Sequence, residues 1–257
     1  MSLIDSHAHL TFPELADCVE DVLGRCAQAG VEKVITVGID PPDARAAVEL
    51  AQRYPNQVHA AIGVHPHNAQ KVDETDLIEL AKLWDHPTVV GFGEMGLDYH
   101  YDFADRGAQQ SVFARQLTLA KDRDRPIIIH SRKALDDTIR LLLEHGYDQH
   151  PVVFHCFTGA KDEAARIAEH GWWISFTGIV TFRDPGQLKE IAGAHPADQL
   201  MIETDSPFLS PAPVRNKRPN EPAHLIHTAG FLADVRGVEY EALAEQTRQN
   251  TQKFFRV

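Results

Sequence analysis

Ile4-Asp5-Ser6-His7-Ala8-His9 reads as a short buried strand whose end carries two imidazoles. Side chains alternate faces along a strand, so His7 and His9 point the same way. Two imidazoles aimed at one spot suit a transition metal, because neutral imidazole is the commonest protein metal ligand. An H-x-H pair alone is equally compatible with two hydrogen-bonded histidines at a strand end. Other metal-type ligands at the ends of later strands decide between the two.

Working outward, strand-like and helical segments alternate along the whole chain. Residues 12–30 have helical spacing, with Leu15, Val19, Val22, Leu23 and Cys26 on one face and Gly30 placed as a C-cap. Further strands are predicted at 33–37 (KVITV), 58–63 (VHAAIG), 89–94 (VVGFGE), 126–130 (PIIIH), 152–155 (VVFH), 173–176 (WISF) and 200–204 (LMIET). Helices fall between them at 44–53, 75–84 (Asp73 or Thr75 as N-cap), 109–122, 135–145, 161–170 and 185–192, and two more close the chain at 223–235 and 240–255. Eight apolar, β-branched strands interleaved with helices predict a parallel sheet buried on both faces. Eight is the count that closes a TIM (β/α)8 barrel, and no linker or composition break divides residues 1–257, so the expectation is a single α/β domain of that class. A doubly wound open sheet is disfavoured, because the candidate ligands lie on strands spread across the chain.

In a closed barrel those ligands meet. The first strand ends in His7 and His9, the fourth in Glu94, the fifth in His130, the sixth in His155, and the eighth in Glu203-Thr204-Asp205. The C-terminal ends of barrel strands converge on the catalytic mouth. Four histidines and two carboxylates suffice there for two divalent ions sharing a carboxylate or a water. Burying so many titratable groups without a metal would cost several kcal/mol per unpaired charge.

Composition narrows the possible functions. The 257-residue chain has a formal charge of −12, against the general basic field of a duplex-tracking protein, so any nucleic-acid contact is expected to be local to a strand end. No apolar run is long enough for a transmembrane helix, and Met1 leads straight into the histidine strand, which predicts a cytoplasmic protein without a leader. Three cysteines without CxxC spacing argue against a disulfide framework or structural zinc.

The segments IDSHAHL (4–10), GVHPH (63–67), GEMGLDYH (93–100), PIIIHSRKA (126–134), VFHCFTG (153–159), ETDSPFLSP (203–211) and RNKRPNEP (215–222) together resemble the TatD family of metal-dependent deoxyribonucleases, within the amidohydrolase superfamily of TIM barrels. The resemblance implies that His7, His9 and Asp205 hold one ion, His130 and His155 a second, and that Glu94 bridges both. Nitrogen and oxygen donors favour Zn²⁺ or Mn²⁺ and leave Mg²⁺ open. It implies a 3′–5′ exonuclease acting on single-stranded or frayed DNA ends through a metal-activated hydroxide. Separately, the chain is expected to be monomeric, without membrane contact or an obligate protein partner. Asp205 is the expected base; Glu203, on the same strand face as Asp205 by alternation, is expected to support a ligand or a cationic side chain, and His65 to donate to the phosphate or leaving oxygen. Arg132, Lys133, Arg215, Lys217 and Arg218 are the candidate phosphate contacts, and Tyr99, Tyr101 and Phe157 candidate stacking partners for an unpaired base. An amide or ester hydrolase of the same superfamily, acting on a small molecule or an aminoacyl end, is the alternative. It needs no phosphate clamp.

Overall fold

A computed structural model describes residues 2–257. Its elements run β1 (Leu3–Ala8), α1 (Pro13–Ala16), α2 (Val19–Ala29), β2 (Val31–Gly38), α3 (Pro41–Arg53), β3 (Val58–Ile62), α4 (Glu74–Leu83), β4 (Val89–Asp98), α5 (Arg106–Ala120) and β5 (Ile127–Arg132). They continue with α6 (Leu135–Glu144), β6 (Val152–Phe154), α7 (Lys161–Glu169), β7 (Trp173–Phe176), α8 (Leu188–Ala194), β8 (Leu200–Ile202), α9 (Leu225–Arg236) and α10 (Tyr240–Phe255).

The eight strands pair in sequence order, each parallel to the next. The chain just past β8 closes the ring on β1. Ala8 bridges Ser206, the His9 amide donates to the Ser206 carbonyl at 2.7 Å, and the Asp205 amide donates to the His7 carbonyl at 3.0 Å. The fold is therefore the TIM barrel expected from the alternation, and its closing seam is the place where His7, His9 and Asp205 meet.

Alternate strand residues build two cores. Leu3, Val31, Val34, Val58, Val89 and Ile127 pack outward against the helices. Ile35, Val37, Ala61, Val90, Ile128, Val153, Trp173 and Met201 pack together with Phe254 and Phe255 from the end of α10. Two buried phenyl groups thus fill out the inner core, each contributing about 1.5–3 kcal/mol relative to an exposed ring. The candidate ligands lie toward the other, C-terminal ends of the strands.

Three boundaries differ from the sequence reading in ways that matter. The expected 12–30 helix is two helices, broken at Cys18, whose backbone (φ −128°, ψ 23°) is not helical; no glycine or proline announces the break. Gly30 does cap α2 in the left-handed region at φ 80°. Strand β8 stops at Ile202, so Glu203, Thr204 and Asp205 follow it in a turn, with Asp205 at φ 51°. Alternation no longer applies there, and Glu203 and Asp205 do not share a strand face as expected. Strand β4 runs four residues beyond Glu94 to Asp98. Glycines permit this extension: Gly93 and Gly96 adopt φ of 132° and 141°, and a Cβ on Gly96 would collide with the His130 carbonyl oxygen. No helix among the described residues is long and apolar enough to cross a membrane.

Candidate metal centre

Six of the expected residues converge at the mouth. His7 Nε2 and His9 Nε2 stand 3.4 Å apart, and Asp205 Oδ1 lies 3.9 Å from the first and 3.3 Å from the second. Glu94 Oε1 completes this group at 4.0 Å from His7 Nε2 and 3.8 Å from His9 Nε2. The other Glu94 oxygen, Oε2, faces His155 Nε2 at 2.5 Å and His130 Nδ1 at 3.5 Å, and these two nitrogens are 3.3 Å apart. One carboxylate therefore presents an oxygen to each of two nitrogen pairs.

The donor set fits divalent metal. Nitrogens face nitrogens at hydrogen-bond distance in both groups, and the Glu94 carboxylate is buried among all four of them. Donors about 2.0–2.1 Å from one ion in tetrahedral array lie roughly 3.3–3.5 Å from each other, which is the spacing of the His7–His9, His9–Asp205, His130–Glu94 and His130–His155 pairs. Ligand atoms of His7, His9 and Glu94, of His7, His155 and Glu203, and of His65, Glu94 and His130 each lie within 4.8 Å of one another.

Surrounding groups fix which imidazole nitrogen is free. His9 Nδ1 lies 3.2 Å from the Val37 carbonyl, so Nδ1 carries the proton and Nε2 keeps its lone pair toward the cage. His130 Nε2 lies 3.0 Å from Asp98 Oδ2, which turns Nδ1 inward by the same logic. His155 Nδ1 has Glu203 Oε1 at 3.4 Å. Carboxylates or carbonyls behind ligating histidines fix ring orientation and raise basicity.

Burial and charge then set the protonation states. Burial holds the His7 imidazole well below its ordinary value, and His65 likewise. At His155 burial is outweighed by Glu94 and Glu203, which hold it well above. Burial would raise Glu94, but His155, His65 and His130 hold it well below the carboxylate range, so it is an anion in the cage. Burial raises Glu203, with His155 and Ser175 opposing.

Of the expected catalytic residues, Glu203 sits away from the cage interior. It is buried, accepts from the Cys156 amide at 2.7 Å and the Ser175 hydroxyl at 2.8 Å, and lies behind His155 with a carboxylate oxygen within 4.8 Å of a His7 ring nitrogen. His65 faces the cage, with Nε2 3.3 Å from His130 Nδ1 and 3.9 Å from Glu94 Oε1. Its Nδ1 accepts from the His67 amide at 3.0 Å, which leaves Nε2–H as an inward donor.

The basic residues divide. Arg132 and Lys133 line a cavity of about 300 Å³ beside His155, together with His100, Ser131 and Phe157. Arg215, Lys217 and Arg218 lie on the exposed loop after β8, where the Arg215 guanidinium sits 3.8 Å over the Phe182 ring. The three make no ion pair with a cage residue among the described residues. Two of the expected stacking rings are engaged elsewhere. Tyr99 donates to Asp137 at 2.8 Å with the Arg106 guanidinium 4.3 Å over its face, and Phe157 is buried. Tyr101 is exposed.

Two carboxylates were not singled out from sequence. Asp98 Oδ2 accepts from His130 and from His67, each at 3.0 Å, while Oδ1 accepts from the His100 and Tyr101 amides at 2.8 and 3.0 Å. Burial opposes its ionisation, but His130 and His67 hold it well below the carboxylate range. Its signal was a period of two: Glu94, Gly96 and Asp98 share a face once β4 is allowed to continue. Asp5 shares a face with His7 in the same way. It accepts from the Thr204 amide at 3.0 Å and hydroxyl at 2.5 Å, tying β1 to the turn that carries Asp205. Burial pushes its carboxyl up to about 8.

The family model described as TatD related DNase matches residues 4–256. The chain is 39% identical to the uncharacterized metal-dependent hydrolase YabD of Bacillus subtilis over 99% of each chain. It is 33% identical to the 3′-5′ ssDNA/RNA exonuclease TatD of Erwinia tasmaniensis, covering 98% of this chain and 99% of that one. The crystal structure of YJJV, a TatD homologue from Escherichia coli K12, superposes with a TM-score of 0.93 at 30% identity, covering 99% and 98% of the two chains.

Proposed function

Since the chain belongs to the TatD-related DNase family of metal-dependent hydrolases, we propose that it is a two-metal phosphodiesterase that trims single-stranded or frayed DNA ends in the 3′ to 5′ direction. The observation that carries this reading is the placement of Glu94, one oxygen toward His7 and His9 and the other toward His130 and His155. An exonuclease name on a relative aligned over nearly the full chain supports the phosphodiester substrate.

In this reading His7, His9 and Asp205 would hold one divalent ion and His130 and His155 a second, with the Glu94 carboxylate between them. Ions bound there would supply positive charge to an anionic phosphodiester and make a water acidic enough to attack near neutral pH. Asp205 is the base. Its side chain is 15% exposed, more open than the other carboxylate of the cage, so a solvent water can reach it. His65 donates Nε2–H toward the phosphate or the departing oxygen, with its tautomer fixed by the His67 amide. Glu203 and Asp98 orient His155 and His130 from behind. Arg132 and Lys133 add fixed positive charge beside His155, where a phosphate adjoining the scissile one would sit.

The test is digestion of oligonucleotides labelled at the 3′ or the 5′ end by chelated and by Zn²⁺-, Mn²⁺- or Mg²⁺-reconstituted protein. Metal-dependent loss of the 3′ label as mononucleotide, with a descending ladder from the 5′ label, is expected. Full activity after chelation, or cleavage only of amide or ester substrates, would overturn it.

A further inference from the structure

Of the six large hydrophobic side chains exposed among the described residues, three lie on loops at the barrel mouth: Tyr101, Phe103 and Phe208. Scattered exposed hydrophobics are ordinary; a grouping around a metal centre is not. Phe103, 65% exposed, packs against His67 at 4.7 Å between ring centres and against Tyr101 at 5.5 Å. His67 shares Asp98 with the cage residue His130. The Arg132 guanidinium covers Tyr101 at 4.9 Å. On the other side Phe208, 45% exposed, meets Phe12 edge-on at 6.0 Å, and Phe12 stacks on His9 at 4.6 Å.

Strand order places these groups on opposite rims. Phe12 and Phe208 follow β1 and β8, which adjoin at the seam, whereas Tyr101 and Phe103 follow β4, half a turn around the eight-stranded ring. Both rims are fixed by the turns that carry cage residues. The Phe208 amide donates to the Asp205 carbonyl at 3.0 Å, and the buried Asn220 amide group donates to the Phe208 carbonyl at 2.6 Å. On the far side Asp98 accepts from the Tyr101 amide at 3.0 Å. Rigid aromatic surfaces lose little freedom on binding.

We propose that these rims are two nucleobase platforms, Phe208 with Phe12 on one side and Phe103 with Tyr101 on the other, which stack the unpaired bases flanking the phosphate held at the cage. This rests on the phosphodiesterase reading and assigns the side chains that would hold the last two unpaired bases of the strand. In a duplex those faces are already stacked within the helix, so a paired end cannot offer one to each rim. Stacking tolerates every base, because every base has a π face. The neighbouring Arg132 and Lys133 match the strand's phosphates in charge.

The experiment compares a short single strand with the same strand made abasic at its last two 3′ positions, using metal-loaded protein. Phe103→Ala and Phe208→Ala are each expected to raise KM for the normal strand about fivefold to a hundredfold, with kcat within about twofold. On the abasic strand the variants and the wild type should converge, and Phe103→Trp and Phe208→Trp should restore wild-type KM. Unchanged KM on the normal strand, or an equal loss on the abasic one, overturns the platforms. Equilibrium binding of an uncleaved phosphorothioate strand separates this from the nuclease reading. If the wild type cleaves no oligonucleotide yet binds the normal strand more tightly than the abasic one, and the alanine variants lose that preference, the platforms stand and the nuclease reading falls. Equal binding of the two strands by the wild type overturns the platforms.

Discussion

Replacing Asp98 by asparagine removes one charge and leaves the shape. The side chain is buried and accepts four hydrogen bonds, two from imidazoles on Oδ2 and two from backbone amides on Oδ1. An asparagine oriented to keep its oxygen on the His100 and Tyr101 amides turns its NH2 toward two N–H donors. His130 then loses the acceptor that fixes its tautomer, and a proton on Nδ1 blocks the lone pair that faces Glu94. Hydrogen bonds to a charged partner contribute about 1.5–3 kcal/mol, and loss of a carboxylate behind a ligating histidine costs about 10- to 100-fold in metal affinity. The two estimates agree, since about 1.4 kcal/mol is tenfold. Asp98→Asn is therefore expected to weaken the ion held by His130 and His155 by that factor, and the ion at His7 and His9 far less. Zn²⁺ titration against a chromogenic chelator reads both affinities, with circular dichroism of the metal-free variant confirming the fold. A folded variant whose two affinities stay within twofold of wild type would refute the role given to Asp98.

Asp205→Asn should keep most of the metal and lose at least about 100-fold in kcat, the usual contribution of a general base; near wild-type turnover at full metal content would exclude Asp205 as the base. Replacing Arg215, Lys217 and Arg218 together should raise KM for a short single strand more than it lowers kcat. The slope of log affinity against log salt in the wild type should be only about −1 to −3, at roughly −0.7 per phosphate contact. A slope as steep as six contacts would give means a long basic track exists. His195 supplies a pH test remote from the cage. Burial lowers its imidazole to about 4, so between pH 6.5 and 4 the unfolded chain binds a proton that the folded chain refuses, and stability falls as pH drops. Urea unfolding should show the stability of wild type relative to His195→Asn falling by roughly 2–3 kcal/mol between pH 7.5 and 4.5; a pH-independent gap contradicts this.

The barrel was legible because its strands are continuous apolar runs of the expected length, and a ring of strand ends needs no side-chain detail to predict. His7, His9, Glu94, His130, His155 and Asp205 meet because closure brings their strands to one rim. What depended on knowing where a strand stops was less visible. Asp98 escaped notice because β4 was ended at Glu94, and only glycine at 93 and 96 makes the longer strand possible. Glu203 was assigned to the face of Asp205 because β8 was carried two residues too far. The choice of aromatic rings turned on partners remote in sequence: Asp137 and Arg106 occupy Tyr99, and nothing near Phe103 in the chain foretold its contact with His67.

The two-ion cage is tested most directly by anomalous diffraction at the absorption edge of the metal from crystals of the loaded protein. Two peaks are expected, one between His7, His9 and Asp205 and one between His130 and His155, with Glu94 contributing an oxygen to each. A single peak, or peaks away from Glu94, would contradict the account.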